Sequence, residues 1–265
     1  MKAKLLLTSA AAILAFVLSI FPAQADSRSV RVQPFTKIKA STGMLVIYEE
    51  GPLKPVQITA LSKHIDNIVI EMDNETLIVY YRRNDNENVT IKHDEIEIRV
   101  TAPKVHSFRA SSGAKIIIKN DLYRNSEFIN ANSSSGGKIK FNNITTSKIN
   151  LSASSGSSIS AGNINLSSSG NINASSGSNI DIETIDATTA NISIKSAGKL
   201  KFNSMKADHL NIEANSASKV TIHNVTPPIA NVLASSVSKV ILSGNIDHKI
   251  FEASSLSSIT YNDTY

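Results

Sequence analysis

Three sets of side chains in this sequence have the types and spacing to do chemistry. Asp181, Glu183 and Asp186 lie close together, and Asp181 and Glu183 alternate with Ile180 and Ile182. Alternation puts these two carboxylates on one face of a strand, where an acid and a base could work on a glycosidic bond. Lys115, Lys138, Lys199, Lys219 and Lys239 recur at one place of a repeat, with Ser158 and Asn179 filling the gap. Such a column could hold anionic polysaccharide, lipid headgroups or an acidic surface protein. It could equally be a row of solvated charges that keeps sheets from associating. The third set is Asn130, Asn150, Asn171, Asn191, Asn211 and Asn231, which reads either as a structural amide ladder or as a sugar-binding stripe.

Other chemistries find no anchor. The six histidines (His64, His93, His106, His209, His223 and His248) show no metal spacing and no His-Glu motif, and are expected to be solvated strand or loop residues. No serine stands in a Gly-x-Ser-x-Gly turn, and calcium-binding Gly-Asp nonapeptides are absent. The chain has no cysteine, which removes disulfides, thiolate metal sites and lipid attachment through sulfur. Catalytic residues, metal ligands and cofactors are therefore not assigned. A carbohydrate-active β-helix enzyme using Asp181, Glu183 and Asp186 stands as the alternative.

A repeat positions all of these groups. A seven-residue phrase begins at Ala110, Ser133, Ala153, Ala174, Ile194, Ala214, Ala234 and Ala253, at intervals of 23, 20, 21, 20, 20, 20 and 19 residues. With the first residue of each phrase as position 0, apolar residues recur at −2, 0, +6 and +8, and a further column at +11 holds Ile144, Ile164, Ile185, Met205 and Val225. Period two on both sides of a short polar corner predicts very short strands facing a common interior. A period near 20 residues predicts stacked units that complete one another's cores. The expected fold is all-β, a single-stranded right-handed parallel β-helix. Its eight regular coils would form a rod on the order of 40 Å long. The asparagines at −3 fall outside and the lysines at +5 face solvent. The invariant serines at +2 (Ser112, Ser135, Ser155, Ser176, Ser196, Ser216, Ser236 and Ser255) are expected to form an internal hydroxyl ladder. At +3 stand Gly113, Gly136, Gly156 and Gly177, then Ala197, Ala217, Val237 and Leu256, so the corner does not require glycine.

Residues 1–25 read as a secretory signal peptide: Lys2 and Lys4, an apolar run from Leu5 to Phe21, then Ala23-Gln24-Ala25 before Asp26. An uncleaved membrane anchor is the alternative; cleavage would leave no transmembrane span. The segment carries two basic residues and no acid, so the formal charge falls from +5 to +3 on its removal. With export expected, the basic pI does not point to nucleic acid. The chain is expected to be periplasmic, secreted or on the surface of a bacterium.

Residues 26–105 are expected to be irregular coils that close the N-terminal end, and 106–265 the regular repeats of the same domain. The phrase occurs once early, as Ala40-Ser41-Thr42-Gly43-Met44-Leu45-Val46. Phe35-Thr36-Lys37-Ile38-Lys39-Ala40-Ser41-Thr42-Gly43, then Asn74-Glu75-Thr76-Leu77, then Val100-Thr101-Ala102-Pro103 leading into Phe108-Arg109-Ala110-Ser111-Ser112-Gly113, resembles the GIN domain family. Its members are described as head domains of putative autotransporter adhesins. The resemblance covers residues 30 to 262 and implies an exported β-helix with no established activity and no catalytic residues to transfer. Adhesion or an envelope scaffold role is the function it implies. At the C-terminal end, Phe251, Leu256 and Tyr261 are bulky for their places, and the last coil is expected to associate weakly with a second copy or an envelope partner.

Overall fold

A computed structural model describes residues 25–83 and 95–264, with the side chains of 124–126 left aside. Apart from Ala25, the first residue of the strand Ala25–Val30, the expected leader lies outside the described residues, as do His93 and most of the charged loop after Arg82.

The chain is a β-solenoid of about 8 turns. From Ser107 onward each rung pairs in parallel with the rungs above and below, as in Asn179–Ile194 against Lys199–Ala214. The expected columns face inward: Ile172, Ala174, Ile180, Ile182 and Ile185 of one coil are all buried, as are Ile192, Ile194, Leu200, Phe202 and Met205 of the next. The strands are longer than expected. Ser158–Ala174 spans nearly a full coil, because bends are absorbed as register shifts rather than breaks. The uneven intervals are such shifts. The 21-residue step places its extra residue between Leu166 and Ser169, and the 19-residue step loses one between Leu242 and Gly244.

The corner corrects the serine register. Positions +1 to +4 form a turn in which the +4 N–H donates to the +1 carbonyl, as from Ser178 to Ser175 at 3.1 Å. Both central residues have positive φ, 48–56° at +2 and 59–74° at +3, the signature of a type I′ turn. The tip therefore points to solvent, and every +2 serine is exposed. Alternation resumes at +4, where the interior serines stand: Ser157, Ser178 and Ser238 are buried, and their hydroxyls donate 2.7–2.9 Å bonds to the position-0 carbonyl of the preceding coil. Ser257 does the same at 2.7 Å. Ala114, Gly137 and Gly198 interrupt this column. The glycine at +3 can be replaced, but its conformation is kept: Ala197, Ala217, Val237 and Leu256 all hold positive φ. From Gly113 to Val237 a backbone ladder keeps it, each +3 N–H donating to the +2 carbonyl of the next coil at 2.9–3.0 Å.

The N-terminal part is only partly coil. Lys37–Ala40 and Leu45–Glu50 make a regular rung, but it lies inside the stack. The coil beginning at Ser107 pairs on one side of it, and Thr76–Tyr81 with Ile96–Ala102 on the other. The chain thus returns to build a rung beneath one it has already laid down. Beyond that rung the pairing turns antiparallel: Ile68–Asp73 on Thr76–Tyr81, Val56–Leu61 on Ile96–Ala102, and Ala25–Val30 on Val56–Leu61. The first coil is locked to this cap by Tyr48, a buried phenol that donates to the Ala102 carbonyl at 2.9 Å and packs on Phe108.

One histidine is not solvated. His64, in the one-turn helix Ser62–Ile65, is 3% exposed, with Nδ1 at 3.1 Å from Tyr81 Oη and Nε2 at 3.0 Å from a Glu95 oxygen. It pins the helix to the cap through two hydrogen bonds that no apolar residue can replace. His64→Phe is expected to cost about 2 kcal/mol, the usual range for removing hydrogen bonds from a buried site. Urea unfolding followed by circular dichroism measures this; a loss under about 0.5 kcal/mol would mean that strand pairing alone holds the cap.

Candidate functional site

The lysine column is continuous in register. Lys115 pairs with Lys138, Lys138 with Ser158, Ser158 with Asn179, and Asn179 with Lys199, followed by Lys219 and Lys239. The position exists because residue +5 is the first outward place after the turn. Lys138, Lys199, Lys219 and Lys239 are exposed and Lys115 is half-buried. None of the five has an ion-pair partner among the described residues, whereas Lys195 is held by Glu213 at 3.1 Å and Lys206 by Asp186 at 3.5 Å. Lys201, at +7, shares this outward face and stands beside Asp181 of the preceding coil. Three charges at the rung spacing of about 4.8 Å repel by about 1 kcal/mol per neighbouring pair in water, a cost that a bound anion would reverse.

The three acids are not brought together. Asp181 and Glu183 line a shallow depression of about 330 Å³ with Lys140, Asn142, Asn143 and Ser160. Asp186 lines a separate one of about 380 Å³ with Thr145, Thr146 and Asn165. Glu183 accepts a hydrogen bond from Asn203 Nδ2. No group of three or more His, Cys, Asp or Glu among the described residues could hold a metal ion.

The asparagine stripe is a ladder in fact. Nδ2 of Asn171, Asn191, Asn211 and Asn231 each donates to Oδ1 of the asparagine one coil before, at 3.0–3.1 Å. It floors a groove of about 430 Å³ edged by Asn173, Ser193, Glu213 and Leu233.

Sequence reasoning missed the apolar corner. Val237 and Leu256, at +3, project from turn tips with 62% and 92% of their surface exposed, so Leu256 is no core residue. The signal was present in the loss of glycine at that position, but it needed the turn geometry to be read. Phe251, Ile259 and Tyr261, by contrast, do pack against the core.

Residues 34–224 match the sequence profile of the family described as putative auto-transporter adhesin, head GIN domain. Among solved structures, the chain is similar to a putative adhesin from Parabacteroides merdae ATCC 43184, with 14% identity, a TM-score of 0.73, and 90% of this chain and 96% of the other covered. It is also similar to a putative lipid binding protein from Parabacteroides distasonis ATCC 8503, with 16% identity, a TM-score of 0.68, and coverage of 92% and 98%. At these identities the likeness is one of fold. No curated protein matches the chain.

Proposed function

We propose a non-enzymatic binding role at the cell envelope for this chain, which belongs to the family of putative auto-transporter adhesin head GIN domains. The family points to an exported or cell-surface protein, and no helix among the described residues is long and apolar enough to cross a membrane. The observation that carries the proposal is the column of unpaired lysines, with Lys199, Lys219 and Lys239 on three successive rungs. The column binds anionic envelope material, polysaccharide or lipid headgroups, by holding several negative charges at one spacing along a rigid rod. Structural neighbours described as a putative adhesin and as a putative lipid binding protein support a surface-binding role.

The test is retention on immobilised alginate, and on vesicles containing phosphatidylglycerol, at low and high salt. The triple variant Lys199→Gln, Lys219→Gln, Lys239→Gln is expected to bind more weakly by about fivefold for each lysine removed, with its fold intact. High salt should weaken the parent chain in the same way. Binding that ignores both salt and the triple substitution would overturn the role given to the column.

A further inference from the structure

We propose that the corner bearing Val237 and Leu256, together with the lysine strip beside it, docks on the surface of an anionic lipid bilayer. This rests on the binding role of the lysine column and names its partner.

The first observation is conformational. At +3 the turn requires positive φ, and four of the eight regular coils meet it with glycine. The last two place Val at +66° and Leu at +61° instead. Positive φ is disfavoured for any L residue and most of all for a β-branched one. The corner is held by its backbone ladder and needs no side chain at this place, yet a valine and a leucine stand there with 62% and 92% of their surface exposed. Leu256 is not exposed merely for lying in the last described rung, because Val237 has a rung on each side and is still mostly in water. Neither side chain serves the core.

The second observation is clustering. Six large apolar residues are exposed among the described residues, and four of them, Leu233, Val237, Ile250 and Leu256, fall in the last two coils. Leu233 and Ile250 sit on the strand face that leads into the corner, and Val237 and Leu256 form its tip.

The third is charge. Lys239 follows Val237 by two residues, and Lys199 and Lys219 continue the strip on the two preceding coils. Glu213 is already paired with Lys195, and Glu252 stands in register beside Leu233 on the strand face before the corner, so the docking edge is the tip itself, Val237 and Leu256, with the lysine strip that follows it. An apolar edge bordered by unpaired ammonium groups matches a bilayer interface, with aliphatic tips at the acyl boundary and lysines at the level of the phosphates. A soluble polyanion would satisfy the lysines and leave the aliphatic tips in water.

The experiment is sedimentation of the full chain with vesicles of equal parts phosphatidylcholine and phosphatidylglycerol, against phosphatidylcholine alone and against alginate. The parent chain is expected to bind the mixed vesicles only, among the two lipid probes. Val237→Gly with Leu256→Gly should weaken vesicle binding roughly tenfold or more. Its melting temperature should hold or rise, because glycine relieves the positive φ. Val237→Asn, polar but tolerant of that φ, should also weaken binding, which separates lost apolar contact from any backbone effect. The chain has no tryptophan, so Leu256→Trp gives a single reporter whose emission should shift to the blue on the mixed vesicles. Lysine-dependent binding that the glycine and asparagine variants leave unchanged would overturn the bilayer as partner while the anion-binding column stands. Binding to alginate but not to vesicles would do the same, and binding to neither would remove both.

Discussion

Ser178→Lys is expected to destabilise the solenoid by about 4 kcal/mol or more, whereas Ser176→Lys, two residues earlier, should change stability by less than about 0.5 kcal/mol. Ser178 is fully buried; its hydroxyl donates to the Ala153 carbonyl at 2.8 Å and accepts the Ser175 N–H at 2.9 Å. A lysine there must place its stem and charge between rungs about 4.8 Å apart, with only the Ala153 carbonyl freed as an acceptor and no route to water. Ser176 occupies the tip of the same turn, exposed, with its φ already at 51°. Ser178→Ala separates charge from hydrogen bonding and should lose only about 1 kcal/mol. Urea unfolding of the three variants decides the register: equal losses for the two lysine substitutions would return the inner column to +2.

That register was half legible in the sequence. Apolar residues at 0 and +6 fixed which strand faces point inward, because alternation needs only local spacing. The same parity carried through the corner makes +2 and +4 equivalent, and only the turn's two positive-φ residues lift +2 out to solvent. The lysine and asparagine columns were legible because they lie on strands, where one residue per rung repeats without interruption. The cap was not. Val56–Leu61 alternates as well for an antiparallel partner as for a parallel one, so nothing local distinguishes its pairing with Ile96–Ala102 from another coil. Nor could spacing show that Lys37–Ala40 would be enclosed by strands later in the chain, since pairing order is a global property. His64 was not legible either, a lone polar residue whose burial depends on Tyr81 and Glu95 arriving from distant segments.

Gly244→Ala is expected to cost about 3 kcal/mol or more and to loosen the last two coils alone. The interval before Ala253 is one residue short: Ile222 pairs with Leu242 twenty places on, but Val225 pairs with Gly244 only nineteen on. The chain closes this step at a φ of +145°, a region open almost only to glycine. A Cβ there would lie 2.1 Å from the Val225 carbonyl oxygen and 2.5 Å from its nitrogen, backbone atoms that cannot swing aside. The Val225 carbonyl also accepts the Asn245 N–H at 2.9 Å, and the Gly244 carbonyl accepts the Tyr261 hydroxyl at 2.8 Å. Forcing the strands apart at this point breaks both bonds, and with them the anchor of Tyr261, whose ring packs on Phe251. Because rungs of a solenoid touch only their neighbours, the damage should stop near the Ala214 coil. Hydrogen exchange should therefore show lost protection over Lys239–Gly244 and Ser258–Asp263, with the rungs from Ser158 to Ala214 unchanged. Gly177→Ala is the control, with φ at +70° and nothing within 4 Å of the added carbon. Ala197 and Ala217 already occupy the equivalent place, so it should cost no more than about 1 kcal/mol. If the two alanine variants lose stability equally, positive φ alone governs both sites and the close approach of Val225 to Gly244 contributes nothing.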